Sequence, residues 1–391
     1  MRPRASDGTG ETARSLLKRT NAGAKITGLP VWKIFVRREP FIRRAVVLAE
    51  GRFGVLTSKT ASCLVRYMPE RLVAVIDSTR APATAQEVIG VGGAIPVVSS
   101  LSEALPLRPE MLVIGIAPIG GDLPEEYRAV VVEAIEAGLS VVSGLHYMLN
   151  DDEELRDLAE KHGVRLLDVR RVPKNLSVSR DEARFMPVFR VLTVGSDCSV
   201  GKMVTSWELV RALKERDVKA EFCATGQTGI MLAGWGVAVD RAISDFVAGA
   251  AEALVRVASG AEVAVVEGQG SIYHPAYSGV TLSLLHGCQP NVMILCHHYG
   301  RTLIKKYDTP IPPLRQVIRD YEYLAGLIHP SRVVGVAMNC VELTEETAEE
   351  ACREAEQRLG VAVTDPVMFG ADRLAKAVIE EMEKWNYVPK R

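Results

Sequence analysis

The residues best suited to chemistry lie between Gly195 and Lys202, where a glycine-bounded loop follows an apolar run and precedes a helical pattern. A glycine loop leaves backbone N–H groups open, and a helix start adds partial positive charge, so this arrangement favours phosphate binding. A glycine turn that joins strand to helix without a ligand is the alternative. A lysine at the helix start after a glycine loop favours the phosphate-bearing ligand.

Every residue of this loop is a candidate contact to that ligand. The set comprises Gly195, Ser196, Asp197, Cys198, Ser199, Val200, Gly201 and Lys202. Five residues rather than the usual four separate the glycines, and Met203 replaces the hydroxyl residue that normally binds Mg²⁺. Thr205 or Ser206 could substitute from the same helix. The loop therefore predicts phosphate binding, and it predicts ATP hydrolysis less strongly.

Cys198 lies inside the loop near a helix N-terminus, where a thiolate would be stabilised. A small residue that packs within the loop is the preferred interpretation. The seven cysteines are scattered and form no CxxC pair, which indicates free thiols in a reduced cytoplasm rather than disulfides or a zinc site. We expect no metal ligand set.

Three residues at predicted strand ends are candidates for acid–base catalysis. Glu267 directly follows the buried strand 262–266, and His297 and His298 follow the apolar run that ends at Cys296. Side chains alternate along a strand, so one of the two histidines has a structural role if the strand continues through them. Asn339 ends a further strand, where we expect it to contact the ligand.

Cations beyond the histidine pair could hold substrate carboxylates. Arg301 is the better candidate, because a planar guanidinium suits bidentate contact with a carboxylate. Lys305 is the second, with a solvated basic helix face as its alternative. His274, shortly after the Glu-Gly-Gln-Gly sequence that begins at Glu267, could line the pocket or pack among aromatic side chains.

The whole chain has the composition of a globular protein of two to three domains. Its 391 residues contain 47 Lys and Arg against 48 Asp and Glu, so net charge offers no argument for nucleic acid or an anionic membrane as partner. No apolar run reaches the roughly 18 residues that span a bilayer. We expect a cytoplasmic homo-oligomer that acts on a small molecule.

The elements that position these residues fall into three predicted segments. Residues 1–40 form a basic N-terminal arm, 41–180 alternate short apolar runs with amphipathic helices, and 181–391 begin with the phosphate-loop strand. The fold class is therefore α/β, with a Rossmann-like parallel-sheet domain followed by a second α/β domain that carries the phosphate loop. Asp77, at a strand end of the first domain, could hold a ribose hydroxyl.

Several motifs resemble known proteins. The extended loop from Gly195 to Lys202, the run Val266-Glu267-Gly268-Gln269-Gly270 and the strand end Val336-Ala337-Met338-Asn339 are similar, in this order, to motifs of dethiobiotin synthetase. This resemblance implies that the second domain is P-loop NTPase-like, with a phosphate loop and an adenine-binding strand end. Met203 departs from the resemblance, because that family has threonine there. The pattern of the first domain looks like the coenzyme-A-binding domain of acyl-CoA synthetases.

From residue 30 to 391 the chain resembles the DgcN-type D-glutamate N-acetyltransferase family, formerly catalogued as a domain of unknown function. The resemblance implies acetyl transfer from acetyl-CoA to the amine of an acidic amino acid, most specifically D-glutamate. An ATP- and Mg²⁺-dependent ligase or kinase of the dethiobiotin synthetase type, using Lys202, Thr205 and Glu267, is the first alternative. A non-catalytic nucleotide or acyl-CoA sensor is the second.

Overall fold

The computed structural model describes residues 41–118, 120–385 and 387. The basic arm predicted for residues 1–40 lies outside the described residues. The chain divides into two compact units, which we describe separately. The first unit contains residues 41–176 together with Ala224–Ile243, and the second contains Ser177–Cys223 and the residues from Ser244 onward. The segment Ala224–Ile243 thus packs with the first unit although its sequence lies within the predicted second domain.

The first unit is built on a seven-stranded sheet in the order β3-β4-β2-β1-β5-β6-β7. All neighbouring strands are parallel except β3, which runs antiparallel to β4. The strands are β1 Ala45–Leu48, β2 Leu72–Ile76, β3 Ala83–Thr84, β4 Pro96–Val98, β5 Met111–Ile114, β6 Ser140–Ser143 and β7 Leu166–Asp168. The helices before the second unit are α1 Lys59–Tyr67, α2 Ala85–Ile89, α3 Leu101–Ala104, α4 Glu125–Glu136 and α5 Glu153–His162.

Apolar strands bury this sheet on both faces, as parallel sheets require. Val46 and Leu48 on β1, Leu112 on β5 and Val131 on α4 belong to one core cluster and have no exposed surface. Several α-helices of this unit end at a glycine in the left-handed region, as α5 does at Gly163. At these positions the glycine stops the helix and turns the chain out of it.

The second unit contains a six-stranded sheet in the order β13-β12-β11-β8-β10-β9, with every neighbouring pair parallel. The strands are β8 Phe189–Gly195, β9 Ala220–Cys223, β10 Val263–Val266, β11 Val292–His298, β12 Arg332–Asn339 and β13 Ala362–Thr364. The remaining helices are α6 Lys202–Glu215, α7 Gln227–Ala233, α8 Ser244–Ala258, α9 Ser278–Cys288, α10 Leu314–Gly326, α11 Glu345–Leu359 and α12 Asp372–Lys384; of these, α7 belongs to the first unit.

This strand order brings the candidate site residues together at one edge of the second sheet. The phosphate-loop strand β8 lies between β11, which ends at His298, and β10, which ends just before Glu267. Carboxyl ends of parallel strands meet at the same edge, where ligands of such sheets bind. The predicted α/β class with two mostly parallel sheets is confirmed. Within the described residues, no helix is long and apolar enough to cross a membrane.

Candidate phosphate-binding site

The loop between β8 and α6 reverses direction through two residues in the left-handed region. Ser199 has a φ of 52° and Gly201 a φ of 102°. Glycine adopts this conformation without steric cost, which explains its position directly before Lys202. No side chain caps the start of α6. The first amides of a helix have no partner within the helix, so this terminus presents the N–H donors and partial positive charge that an anion requires.

Lys202 folds back over the loop that precedes it. Its Nζ donates to the carbonyl of Asp197 at 2.8 Å, and only 7% of the residue is exposed. A Cβ on Gly195 would lie 2.7 Å from this Nζ, and one on Gly268 would lie 1.7 Å from the Thr193 carbonyl. The absence of a side chain at Gly195 therefore leaves space for the ammonium group. At Gly268 it allows the ends of two strands to approach closely.

Asp197 is fully buried and organises the loop. One carboxylate oxygen accepts from the Cys198 amide at 2.6 Å. The other accepts from Nη1 of Arg301 at 3.1 Å and from the amide of Lys305 at 2.8 Å. Arg301 also donates to the Cys198 carbonyl at 2.9 Å. The structure thus attaches Arg301 to the phosphate loop, whereas Lys305 binds Asp197 through its backbone and keeps an exposed side chain.

Burial and the neighbouring Asp197 carboxylate raise the pKa of the Cys198 thiol, which favours the protonated form. Ligand atoms of Asp197, Cys198 and His274 lie within 4.8 Å of one another, close enough to hold a metal ion. Both Asp197 oxygens already accept hydrogen bonds, and Nδ1 of His274 accepts from the Ala276 amide at 3.2 Å. With a protonated thiol and an engaged carboxylate, these donors fit a metal poorly.

The hydroxyl groups near the start of α6 have partners inside the protein. Met203, in the position where a phosphate loop usually has its metal-binding hydroxyl, is buried. The side chain of Thr205 hydrogen-bonds the Cys296 thiol, and burial raises the pKa of that thiol to about 11. Ser206 bonds Thr193 at 2.9 Å and the Lys202 carbonyl at 2.9 Å. Substitution of the missing hydroxyl by Thr205 or Ser206 therefore requires these bonds to break.

Two further predicted contacts border the loop. Val200 is buried, with a methyl group 3.0 Å from the position that a Cβ on Gly195 would take. The amide nitrogen of the Asn339 side chain lies 3.9 Å from the corresponding Cβ position on Gly201. Its Oδ1 accepts from the Val341 amide at 3.2 Å. Asn339 thus lies beside the loop at the end of the neighbouring strand.

His297 is held against the phosphate loop. Its Nδ1 lies 2.8 Å from the Ser196 hydroxyl, and both residues are buried. Burial, together with the charges of His298 and Arg301, lowers the pKa of His297 to about 4. The imidazole is therefore neutral near pH 7 and a weak proton acceptor. This geometry favours His297 as the structural member of the pair.

His298 has the tautomer that a general base needs. Its Nδ1 lies 3.0 Å from the backbone carbonyl of Tyr299. A carbonyl oxygen can only accept, so Nδ1 carries the proton in this bond and Nε2 keeps a lone pair. His298 is 8% exposed at the end of β11, opposite Asn339 in the register of the neighbouring strand.

Glu267 and His274 lie in buried surroundings close to the loop. Glu267 follows β10 directly, its amide donates to the Cys223 carbonyl at 3.0 Å, and Nε2 of Gln269 lies 3.4 Å from its carboxylate. His274 stacks on Tyr277 with ring centroids 4.4 Å apart and meets Tyr307 edge-on at 5.1 Å. Burial lowers the pKa of His274, so the ring is neutral near pH 7.

Two residues that the sequence did not single out connect the loop to the segment after Gly270. The Tyr321 hydroxyl donates to the Gly195 carbonyl at 2.8 Å and accepts from the Ile272 amide at 3.3 Å. The Ser271 hydroxyl donates to the Ser196 carbonyl at 3.0 Å. Tyr321 lies on α10, far from the loop in sequence. No local motif marks it, and only an isolated tyrosine on the apolar face of a helix could have pointed to it.

The corresponding edge of the first unit is closed at β1 and β5. A Cβ on Gly115, directly after β5, would lie 2.6 Å from Val47 and 2.8 Å from Ala61 on α1. Asp77 has no exposed surface, and its oxygens accept from backbone amides of the loop after β1 and from Thr79. The ribose-binding role considered for Asp77 is therefore not supported by its surroundings.

Comparison with protein families identifies both parts of the chain. Residues 178–375 match the DUF1611 C-terminal family, described as a P-loop domain of unknown function. Residues 78–172 match the DUF1611 N-terminal family, described as a Rossmann-like domain of unknown function. These matches confirm the predicted Rossmann-like and P-loop assignments of the two parts.

Individual relatives agree with this assignment. A protein from Pseudoalteromonas sp. named D-glutamate N-acetyltransferase is 40% identical over 277 residues, which cover 70% of this chain and 83% of the relative. One of the same name from Tritonibacter scottomollicae is 40% identical over 283 residues, 71% of this chain and 84% of the relative. The crystal structure of a DUF1611 family protein from Anabaena variabilis has a TM-score of 0.82 and 42% identity, covering 86% of this chain and 99% of its own. The chain belongs to the DUF1611 family.

Proposed function

We propose that this protein is an N-acetyltransferase that moves an acetyl group from acetyl-CoA to the amine of D-glutamate. The observation that carries the proposal is the 40% identity to two proteins named D-glutamate N-acetyltransferase, over more than four fifths of each relative's length. The match therefore extends well beyond a single shared domain of those proteins.

The phosphate loop is compatible with coenzyme A as the carrier of the acetyl group. Coenzyme A has a diphosphate and a 3′-phosphate, which are bound by backbone N–H groups and a cation. The uncapped start of α6 and the ammonium group of Lys202 supply both kinds of partner. Acyl transfer needs no metal to activate a phosphate, which agrees with a buried Met203 in the position of the metal-binding hydroxyl.

In the reaction the amine nitrogen attacks the thioester carbonyl, so a C–N bond forms and the C–S bond breaks. The substrate ammonium must lose a proton before its nitrogen can attack, and we assign this proton to Nε2 of His298. The bond from Nδ1 to the Tyr299 carbonyl supports this assignment, because it keeps the Nε2 lone pair available. The nitrogen loses a second proton as the amide forms. One of the two protons passes to the departing thiolate, which leaves as the thiol of coenzyme A, and the other goes to solvent.

The test is a discontinuous assay of the purified full-length chain with acetyl-CoA and D-glutamate. We expect free coenzyme A thiol and N-acetylglutamate in equal amounts by mass spectrometry. Replacing His298 by Gln removes the base, and we expect kcat to fall by roughly 10² to 10⁴. His297→Gln is the matched control, because His297 is buried against Ser196 on the neighbouring position of the same strand; it should retain a higher kcat.

Other outcomes distinguish the alternatives. ADP release from ATP and Mg²⁺ in the presence of an amino acid, with no use of acetyl-CoA, would replace the acetyltransferase by a carboxylate-activating ligase. Tight acetyl-CoA binding without transfer to any D- or L-amino acid would indicate a sensor. The cytoplasmic location, the homo-oligomeric state and the absence of a metal cofactor stay predictions.

A further inference from the structure

A second polar cluster lies in the first unit, beyond the end of β6. It consists of His146, Arg170, Gln227, Asp240 and Arg241, all in or beside loops around Gly144. Gln227, Asp240 and Arg241 come from the segment Ala224–Ile243, which packs with this unit. Sequence patterns did not predict the cluster, since its members are far apart along the chain.

Arg170 is the buried centre of this cluster. It is 8% exposed, its Nε donates to the Gly144 carbonyl at 2.5 Å, and its Nη1 pairs with the Asp240 carboxylate. Among the described residues, Nη2 of Arg170 has no hydrogen-bond partner. A guanidinium has five N–H donors in one plane. One edge of this group is thus held by the protein, and donors remain for a further acceptor.

Charged groups of both signs lie in and beside the cluster. Arg170 pairs with Asp240, and Arg241 donates to the His146 carbonyl at 3.0 Å. The carboxylate of Asp151 lies near Arg171, its main partner, and near Arg241, and both guanidiniums lower the pKa of that carboxyl. Burial and the charge of Arg170 lower the pKa of His146, so its ring is neutral near pH 7 although it lies 3.8 Å from Asp240. The side chains of His146 and Asp240 are 39% and 33% exposed, so the cluster is open to a small molecule.

Gln227 adds an acceptor that lacks a donor. Its Oε1 is buried and has no hydrogen-bond partner, and the residue is 7% exposed. This oxygen lies against Gly144, where a Cβ would come within 1.7 Å of it. Gly144 thus contacts both side chains, the amide of Gln227 at its Cα and the guanidinium of Arg170 at its carbonyl. An unsatisfied buried acceptor beside unsatisfied guanidinium donors is complementary to an α-amino acid, which has a carboxylate to accept and an amine to donate.

We propose that Arg170, which is oriented by Asp240, binds the carboxylate of an acidic amino acid together with Arg241 and Gln227. This inference rests on the proposed function, from which it takes the class of ligand. A planar fork matches the two oxygens of a carboxylate in bidentate contact. Arg301 was the sequence-based candidate for this role, and its Nη1 is instead bonded to Asp197 and Cys198.

The test is calorimetric titration of the full chain with D-glutamate, with glutarate and with acetyl-CoA. Arg241→Gln removes an exposed guanidinium, and Arg170→Lys keeps the charge but loses the fork. We expect each variant to weaken D-glutamate and glutarate binding about tenfold or more, since charge-assisted bonds are lost. Acetyl-CoA affinity should not change. Arg171→Gln is the matched control, because Arg171 is the adjacent arginine, half exposed and paired with Asp151.

Glutarate separates this inference from the proposed function, because it has the carboxylates but no amine to acetylate. If the wild-type chain bound glutarate and both variants lost it, the site would stand even without any acetyl transfer. If acetyl transfer occurred but Arg241→Gln kept full affinity for glutarate and D-glutamate, the site would be wrong while the function held. The exposed position of Arg241 makes a folding defect in that variant unexpected; circular dichroism checks this.

Discussion

The two sheets use the same architecture at their carboxyl edges but place different groups there. Gly195 ends β8 in the second unit, and Gly115 follows β5 in the first. The space that a Cβ would need is taken at Gly195 by the ammonium of Lys202 and at Gly115 by the methyl groups of Val47 and Ala61. The first arrangement brings a cation to the phosphate loop and to the uncapped start of α6, whereas the second closes the edge with apolar packing.

Each of the two edges contains a buried aspartate that hydrogen-bonds backbone amides. Asp77 and Asp197 each follow a strand closely, have no exposed surface and accept hydrogen bonds from backbone amides of nearby loops. Burial of a carboxylate is tolerated because these bonds satisfy its oxygens. Both therefore act first as organisers of a loop. An aspartate at a strand end does not by itself indicate a ligand site. Whether its oxygens are available depends on which neighbouring groups already donate hydrogen bonds to them.

Acid should affect the second unit most strongly. Burial lowers the pKa of both His297 and His329 to about 4, against 6.5 for an ordinary histidine. The unfolded chain therefore binds these protons first, so stability is complete above about pH 6.5 and is lost as the pH falls towards 4. For His297 alone the loss is on the order of 3 kcal/mol.

Thermal melts between pH 7 and pH 4, with hydrogen exchange followed separately in peptides of each unit, measure this effect. In the His297→Gln variant, the stability of the second unit should depend less on pH between 7 and 4. Equal acid sensitivity of both units, or an unchanged pH profile in the variant, would contradict the assigned burial of this histidine.

A lysine begins a helix in each unit, and the two lysines differ in burial. Lys202 begins α6 and Lys59 begins α1, but Lys202 is buried over its loop while Lys59 is exposed. Lys202→Met keeps the aliphatic stem and removes the charge, and we expect acetyl-CoA affinity to fall roughly 10- to 100-fold, since charge-assisted bonds are worth about 1.5–3 kcal/mol. Lys59→Met should leave the affinity unchanged. Calorimetry measures both, and equal effects would show that the phosphate loop is not the coenzyme A site.

We expect the smallest difference between the two units when a buried tyrosine hydroxyl is removed from each. The hydroxyl of Tyr321 donates to the Gly195 carbonyl at 2.8 Å, and that of Tyr127 donates to the Glu50 carbonyl at 2.9 Å. Phenylalanine at either position should lower stability by about 1 kcal/mol, the usual net value of such a bond. Only Tyr321→Phe should also weaken acetyl-CoA binding, because its partner is the first residue of the phosphate loop. Chemical denaturation and calorimetry of the two variants together measure the difference.

Local sequence predicted much of the fold and the centre of the site. Apolar runs of four to eight residues between amphipathic stretches indicated parallel strands and helices, because burial on both sheet faces demands that pattern. The loop from Gly195 to Lys202 was recognisable because a positive φ and a close backbone approach restrict the residue type within a few positions. Strand ends placed Glu267, His298 and Asn339 at one edge before any coordinates were known.

The sequence by itself thus determined two parallel α/β units and the position of the phosphate loop, since both depend on interactions between residues close together in the chain. Tertiary structure alone decided which histidine bonds the phosphate loop, that Arg301 pairs with Asp197, and that Arg170 and Gln227 both contact Gly144. Asp197 and Arg301 are 104 positions apart. Contacts of this kind depend on how strands are ordered in a sheet, and no local pattern of residue types records that order.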